Sequence, residues 1–289
     1  SSLSTTTNTG GADFLFGSGI APQILFALVA GIILFIILFS IESLIKTFNG
    51  YKTAKTILVN DTVLSNRAIV LRQDPSDPLA KTILPSDNQL TGVEFTYSFF
   101  LFIEPATFEQ GTSSLKQVFY KGYQKPFPLL GPGVFIKSNE NTMRVFMNSY
   151  KNWYSYVDIK NIPVQKWFHV SLVFRGNNLE VYVNGNLTGR ISMEDTYPYQ
   201  NYQSIILFGS SKYISTKKYK APTGEEETFE VTGAITGQIS RLYHYRYALS
   251  FSEIQANVNQ GPSQKVEQAS DATFYSQSVL RDNWYTSGQ

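Results

Sequence analysis

The chain has 289 residues, 24 Lys and Arg against 22 Asp and Glu, a net charge of +2, 15% aromatic residues and no cysteine. A charge this close to neutral excludes an electrostatic nucleic-acid footprint. The lack of thiols excludes a disulfide-stapled secreted domain.

Residues 1–19 form a polar tail rich in Ser, Thr and Gly, with Asp13 as its only charge. Residues 24–41 then run for 18 positions without a charge. A bilayer-spanning helix needs about 20 mostly apolar residues, so a transmembrane helix is expected over 20–45, with Ile24, Leu28, Ile32, Phe35, Leu38 and Phe39 as its lipid-facing anchor. A cleaved signal peptide would need an early basic residue and a shorter apolar stretch, yet no Lys or Arg precedes Lys46. A core helix would show a polar face, and this run has none. Pro22 suits a first helical turn, where its missing N–H costs nothing. Lys46, Lys52 and Lys55 follow the run. By the positive-inside rule the tail crosses and the C-terminal module stays cytosolic. The sequons Asn60-Asp61-Thr62 and Asn186-Leu187-Thr188 are then expected to be unused.

Residues 46–90 read as linker and leading strands. They hold two similar pentamers, 54–58 and 80–84, either repeated strands or, the favoured reading, a coincidence. From Thr91 to Ile103 the chain alternates, placing Val93, Phe95, Tyr97, Phe99, Leu101 and Ile103 on one face. Phe168, Val170, Leu172 and Phe174 share a face of the next clear strand, with Trp167, His169, Ser171 and Val173 opposite. Gly176-Asn177-Asn178 turns the chain, Leu179, Val181 and Val183 continue it, and Asn184-Gly185 signals a two-residue hairpin. Trp167 is a candidate core residue, whose truncation would then cost ~3–5 kcal/mol. Residues 237–245 read as a further strand. Ser250 and Glu253 have capping-box spacing for a short helix that stops by Gly261-Pro262. Residues 263–289 read as an extended tail whose Trp284 and Tyr285 pack on the module or on a partner. Many short strands with turn signals and no long helix among them indicate an all-β sandwich or barrel over 91–262.

Three separated motifs sharpen this. Trp167-Phe168-His169-Val170, then Leu179-Glu180-Val181-Tyr182-Val183-Asn184-Gly185, then Gly237-Gln238-Ile239 leading to Ala248-Leu249-Ser250 and Glu253-Ile254 resemble the laminin-G-like, concanavalin A-like lectin/glucanase superfamily. The resemblance covers roughly 90–262 and implies a two-sheet antiparallel jelly-roll sandwich, here preceded by the single transmembrane helix. Gly92 to Ser98, Phe119-Tyr120-Lys121-Gly122, Gly131 to Val134, Asn161 to Val164, Gln200-Asn201-Tyr202 and Gly261-Pro262 further resemble the membrane-anchored form of large nucleocytoplasmic DNA viruses, which implies a virion location.

The glucanase branch needs two carboxylates flanking the scissile bond, and no strand shows them. Glu225, Glu226, Glu227 and Glu230 lie in a Gly- and Thr-rich stretch that reads as a solvated loop. Glu194 and Asp195 are adjacent and would face opposite ways on a strand. His169 occupies a position that is structural in the family, and His244 reads as a half-buried strand residue. No enzyme activity, metal or cofactor is therefore expected. The one alternative is calcium, which some family members hold at the sandwich rim, where Asp158 and Asp195 are the nearest acids. Tyr197, Tyr199, Asn201 and Tyr202, with Tyr150, Asn152, Trp153 and Tyr154, are candidate glycan or partner contacts, and a protein interface is favoured over sugar. Lys212, Lys217, Lys218 and Lys220 form a basic stretch that is either a lipid or acidic-partner contact or a solvated loop.

The expected function is a non-enzymatic minor capsid or membrane protein of a large DNA virus. It would be anchored in the internal membrane of the virion, with its module facing and tethering the capsid shell. The expected partners are the bilayer and capsid or other virion proteins, with no nucleic acid. The alternative is a membrane-anchored, lectin-like module that binds glycans for attachment.

Overall fold

The computed structural model describes residues 20–78, 80–86, 88–89, 92–109, 111, 113–193, 196–200 and 202–267. The expected N-terminal tail, Glu194, Asp195, Asn201 and the tail segment carrying Trp284 and Tyr285 lie outside the described residues. The chain divides into an N-terminal unit and a second unit that starts at Ala54.

The first unit is dominated by α1 (Ile20–Ala54), which continues nine residues past the expected end at 45. Its stretch Gln23–Ile45 is long and apolar enough to cross a membrane, and none of it is buried by protein. The six anchor residues are all 52–69% exposed. Ser40 hides its hydroxyl by donating to the Ile36 carbonyl at 2.8 Å, the usual way a hydroxyl is satisfied inside an apolar helix.

The second unit is built on two sheets. The six-stranded sheet runs β1 (Lys55–Leu64), β16 (Gly237–Tyr245), β5 (Phe95–Ile103), β10 (Phe168–Arg175), β11 (Asn178–Val183) and β12 (Asn186–Ser192). The eight-stranded sheet runs β14 (Tyr213–Lys220), β15 (Glu226–Ala234), β6 (Leu115–Lys121), β7 (Gly133–Lys137), β8 (Thr142–Phe146) and β9 (Tyr156–Lys160). Its remaining two strands are β13 (Ile205–Leu207), which pairs with β6, and β2 (Ile69–Leu71), which pairs with β13. A small ribbon joins β3 (Asn88–Gln89) to β4 (Gly92–Val93). Among the described strands, pairing is antiparallel except where β15 meets β6. This is the jelly-roll sandwich that the motifs imply.

The alternating faces pack as expected. Phe95, Tyr97, Phe99, Leu101 and Ile103 of β5 and Phe168, Val170, Leu172 and Phe174 of β10 join one buried cluster with Phe119, Val134 and Val145 of the facing sheet. Phe99 meets Phe119 edge-on at 5.2 Å, and Phe95 stacks on Phe174 at 5.2 Å. At Asn184-Gly185 both residues have positive φ, 49° and 81°, which a type I′ turn requires. The Asn184 side chain also accepts from the His169 N–H at 2.8 Å.

The opposite faces are buried too, which alternation does not reveal. The helix α2 (Phe251–Gln260) starts at the expected capping box of Ser250 and Glu253. It lays Ile254 over Val173, Tyr243, Tyr245 and Leu249. On the outer face of the other sheet, Phe127 and Leu130 cover Tyr120, Phe135, Phe146 and Phe229. The chain then returns past α2 to the outer edge of β1. There Thr62 donates to the Lys265 carbonyl and accepts from the Glu267 N–H, both at 2.8 Å. Residues 265–267 therefore lie along β1.

The pentamer at 54–58 enters β1, while 80–84 forms no strand, so the two are not structural repeats, in line with the favoured reading. Several other expectations are corrected. The acidic stretch is not a loop, because Glu226, Glu227 and Glu230 lie on β15. Most of the basic stretch, Lys217, Lys218 and Lys220, likewise lies on a strand, β14. His244 is fully buried at 3% exposure, because β16 is an inner strand. Trp167 is half-buried and packs beside Phe102, with ring centroids 5.5 Å apart, rather than in the core.

Urea unfolding of the detergent-solubilised chain should therefore separate two neighbours. Phe168→Ala is expected to cost about 3–5 kcal/mol, and Trp167→Ala only about 1–2 kcal/mol. Equal losses would place both rings in the core.

Candidate functional site

Two loops that sequence reading treats separately meet at one rim. The connection from β8 to β9 and the segment after β12 are joined by a bridge between Ser149 and Pro198. Tyr150 donates its N–H to the Tyr197 carbonyl at 3.3 Å, and Tyr199 donates to the Asn148 carbonyl at 2.9 Å. Asn148 is buried, and its side chain donates to the Trp153 carbonyl at 2.5 Å and accepts from the Leu130 N–H. Ser149 Oγ accepts from the Asn152 N–H, and Asn152 Oδ1 from the Tyr154 N–H, both at 2.9 Å. These side-chain turns hold the loop in place.

The result is an aromatic surface. Tyr150, Trp153 and Tyr197 are 62%, 40% and 57% exposed. Half-buried Tyr199 underlies them, 5.0 Å from the Tyr150 ring and 5.4 Å from Trp153. Beside it lies a groove of about 500 Å³ whose lining includes Lys151, Asn152, Arg190, Ser192, Thr196 and Lys220. Rings next to hydroxyls, an amide and cations offer both stacking and hydrogen bonding to a ligand.

Other candidate contacts fall elsewhere. Tyr154 is buried, stacked on Tyr219 at 5.2 Å, with its hydroxyl donating to Glu227 at 3.3 Å. It is a packing residue rather than a surface contact. Tyr202 is exposed but lines a separate cavity with Gln200. Lys212, Lys217, Lys218 and Lys220 are all exposed. The last three lie on β14, the free edge of its sheet, which is bulged between Ile214 and Lys218. Lysines and a bulge on an edge strand block pairing with other chains, and only Lys220 reaches the groove. Sequence reading missed Arg190, since nothing in the strand pattern of β12 marks it.

The acids are engaged by protein cations. Arg144 is buried and grips Asp158 with two bonds of 2.7 and 2.8 Å, reaches Glu227 at 2.8 Å and lies 3.7 Å over the Tyr156 ring. Lys137 meets Asp158 at 3.0 Å, and the Tyr156 hydroxyl donates to Glu227 at 2.7 Å. Burial works to raise the Asp158 pKa, but the hydrogen bonds and charge of Arg144, then Lys137, hold it below the usual carboxylate range. Asp158 is therefore part of an ion-pair network with Arg144 and Lys137. Among the described residues no group of three or more His, Asp or Glu is placed to hold a metal.

Neither histidine faces solvent. His169 Nε2 lies 2.8 Å from Ser98 Oγ, and both residues are buried. Burial lowers the His169 pKa to about 4. Burial lowers that of His244 to about 3, helped by the charges of Lys121 and Arg246.

Residues 80–255 match the family model described as the concanavalin A-like lectin/glucanases superfamily, more than half of the chain. No curated protein matches the sequence. Among solved structures, the receptor-binding domain of botulinum neurotoxin D aligns with a TM-score of 0.46 at 11% identity, over 72% of this chain and 53% of its own. The binding domain of Paraclostridial Mosquitocidal Protein 1 aligns with a TM-score of 0.43 at 14% identity, over 71% and 46%. A Trypanosoma rangeli sialidase aligns with a TM-score of 0.39 at 16% identity, over 58% and 23%. The chain thus spans about half or less of the length of these structures.

The buried histidines set an acid response. Their folded pKa values lie below 6.5, so the unfolded chain binds protons that the folded chain does not. Stability should fall as pH drops from 6.5 to about 4. Asp158 adds a further loss at lower pH, as it protonates through its depressed pKa. Urea midpoints across this range should show the fall, with a shallower slope in His169→Gln. An unchanged slope in that variant would mean that His169 is not buried neutral.

Proposed function

The chain belongs to the concanavalin A-like lectin/glucanases superfamily, and we propose that it serves as a non-enzymatic structural protein of a large DNA virus particle. In this reading α1 anchors it in the internal membrane, and the sandwich tethers that membrane to the capsid through its aromatic rim. The observation that carries the reading is the exposed Tyr150, Trp153 and Tyr197 surface on a scaffold fixed by buried hydrogen bonds. Tyr and Trp are the side chains enriched at the centres of protein interfaces. The engagement of Asp158 and Glu227 by Arg144 supports a binding role over glycoside hydrolysis, since neither carboxylate is free to act as acid or nucleophile.

The basic residues after the apolar run support a cytosolic orientation. Asn186 is exposed at the start of β12, just after the Asn184-Gly185 turn, so a module placed in a lumen would carry a glycan there. Its absence from the purified chain supports the proposed side, and its presence overturns it.

The groove beside the rim favours a second reading, attachment to glycans. Arg190, Lys151 and Lys220 would select acidic sugars while the rings stack on a sugar face. Glycan-array binding by the full chain that is lost in Arg190→Ala would establish this reading.

Cross-linking mass spectrometry on intact particles tests the tether. Lys151, in the groove, should link to capsid subunits. The double variant Trp153→Ala/Tyr197→Ala should weaken capsid-subunit binding by about tenfold or more. Cross-links to membrane neighbours alone, with the module open to added protease, would remove the tether.

A further inference from the structure

One end of the six-stranded sheet is built around the point where the chain enters the second unit. The Arg246 N–H donates to the Ala54 carbonyl at 2.9 Å. Lys55, the first residue of β1, pairs with Tyr245 of β16, Tyr245 with Thr96 of β5, and Thr96 with Val173 of β10. Arg175 ends β10 here and donates to the Leu249 carbonyl at 2.9 Å. Leu249 donates its N–H to Thr96 Oγ1 at 3.0 Å, so α2 starts at this end with Phe251. Arg246 Nε donates to the Pro85 carbonyl at 2.7 Å and brings in the segment that carries Leu84. Leu84 and Pro85 also line the cavity of about 230 Å³ that Gln200, Tyr202, Lys121 and His244 share.

This end carries apolar and cationic side chains together. Phe251 is 63% exposed and Leu84 42%. Arg175 is exposed, and Lys55 is half-buried with its ammonium 3.5 Å from the Tyr243 ring centre. Lys46 and Lys52 precede them in the chain. The acids at this end are occupied within the module. Glu253 accepts from the Ser250 N–H at 2.8 Å and from the Tyr247 hydroxyl at 2.7 Å, and Glu94 is buried. Exposed apolar groups beside Lys and Arg suit a membrane surface, where the apolar parts enter the headgroup layer and the cations meet lipid phosphates.

Chain length keeps this end close to lipid. Only residues 46–54 lie between the apolar stretch Gln23–Ile45 and Lys55. As helix they reach about 14 Å, part of which the headgroup layer itself takes up, so the entry point stays within about 10 Å of the lipid surface at any tilt.

We infer that this end of the sandwich docks on the anionic headgroups of the bilayer that α1 spans, with Phe251 and Leu84 in the headgroup layer and Lys55 and Arg175 toward lipid phosphates. The inference rests on the reading of α1 as the anchor. It leaves the aromatic rim as a separate surface. The rim segment follows β12, and β1 and β12 are opposite edges of their sheet, about 24 Å apart. Docking gives the module a fixed attitude on the membrane, so the rim is offered to a partner in one direction, and less orientational freedom is lost when that partner binds.

Single-cysteine labelling of the full chain in liposomes tests this, since the natural sequence has no cysteine to compete for the dye. Phe251→Cys and Leu84→Cys report on the docking end. Lys166→Cys reports on the opposite end, the length of β10 away, about 27 Å. In phosphatidylcholine and phosphatidylserine liposomes with a headgroup quencher, the first two labels should lose most of their emission and the third should keep it. Phosphatidylcholine alone should weaken docking about tenfold or more and restore the emission. Phe251→Glu, added to Leu84→Cys, should restore it too. Phe251 is exposed and opens α2, where a carboxylate is favourable, so this variant keeps its fold. A carbonate wash of the same liposomes reads the anchor. If the chain stays with the lipid while the Phe251 and Leu84 labels are quenched no more than the Lys166 label, the inference alone is overturned. Quenching of the Leu84 label that survives Phe251→Glu or the removal of phosphatidylserine also overturns it. A chain that washes off the lipid overturns the anchor reading and this inference with it.

Discussion

Everything in the sandwich depends on β16 pairing between β1 and β5. This late strand enters the middle of its sheet and satisfies the backbone of an early strand on one side while β10 satisfies it on the other. Unpaired backbone groups at that depth would be costly, so both β1 and β5 depend on β16 for ladder partners in the folded state. The same strand delivers α2, which follows it directly, and α2 closes the outer face over Tyr243, Tyr245 and Val173. It also places His244 at the cavity wall.

The aromatic residues are divided among three tasks. Phe99, Phe119 and Phe168 fill the space between the sheets. Phe127, Phe135, Phe146, Phe229, Tyr154 and Tyr156 build a second apolar layer outside the eight-stranded sheet. Tyrosines in that layer keep a polar tip, and Tyr154 and Tyr156 direct theirs to Glu227, which Arg144 binds as well. A network of this kind is stable because each buried charge has several partners. The third group, Tyr150, Trp153, Tyr197 and Tyr199, is left at the rim.

The rim and the cavity share one short segment. Tyr197 and Tyr199 belong to the aromatic surface, while Gln200 and Tyr202 line the cavity.

Local periodicity carried much of this in the sequence. The apolar run at 24–41 needs no tertiary partner to be recognised, because its lack of charge is a property of the chain alone. The inward faces of β5 and β10, the Asn184-Gly185 turn and the Ser250 cap follow from period, positive φ and cap chemistry, all of which act within a few residues. Tertiary structure decided the rest, because it depends on pairings between residues far apart in the chain. Trp167 and Phe168 are neighbours, and only the sheet determines which one enters the core. Glu227 reads as a solvated acid until β15 carries it to Arg144, and Tyr154 reads as a surface ring until Phe127 and Tyr219 cover it. Lys121 and His244 are 123 positions apart in the sequence, and no local pattern marks them as joint lining of one cavity. They line it together only because β16 and β6 belong to the two different sheets that the sandwich packs against each other.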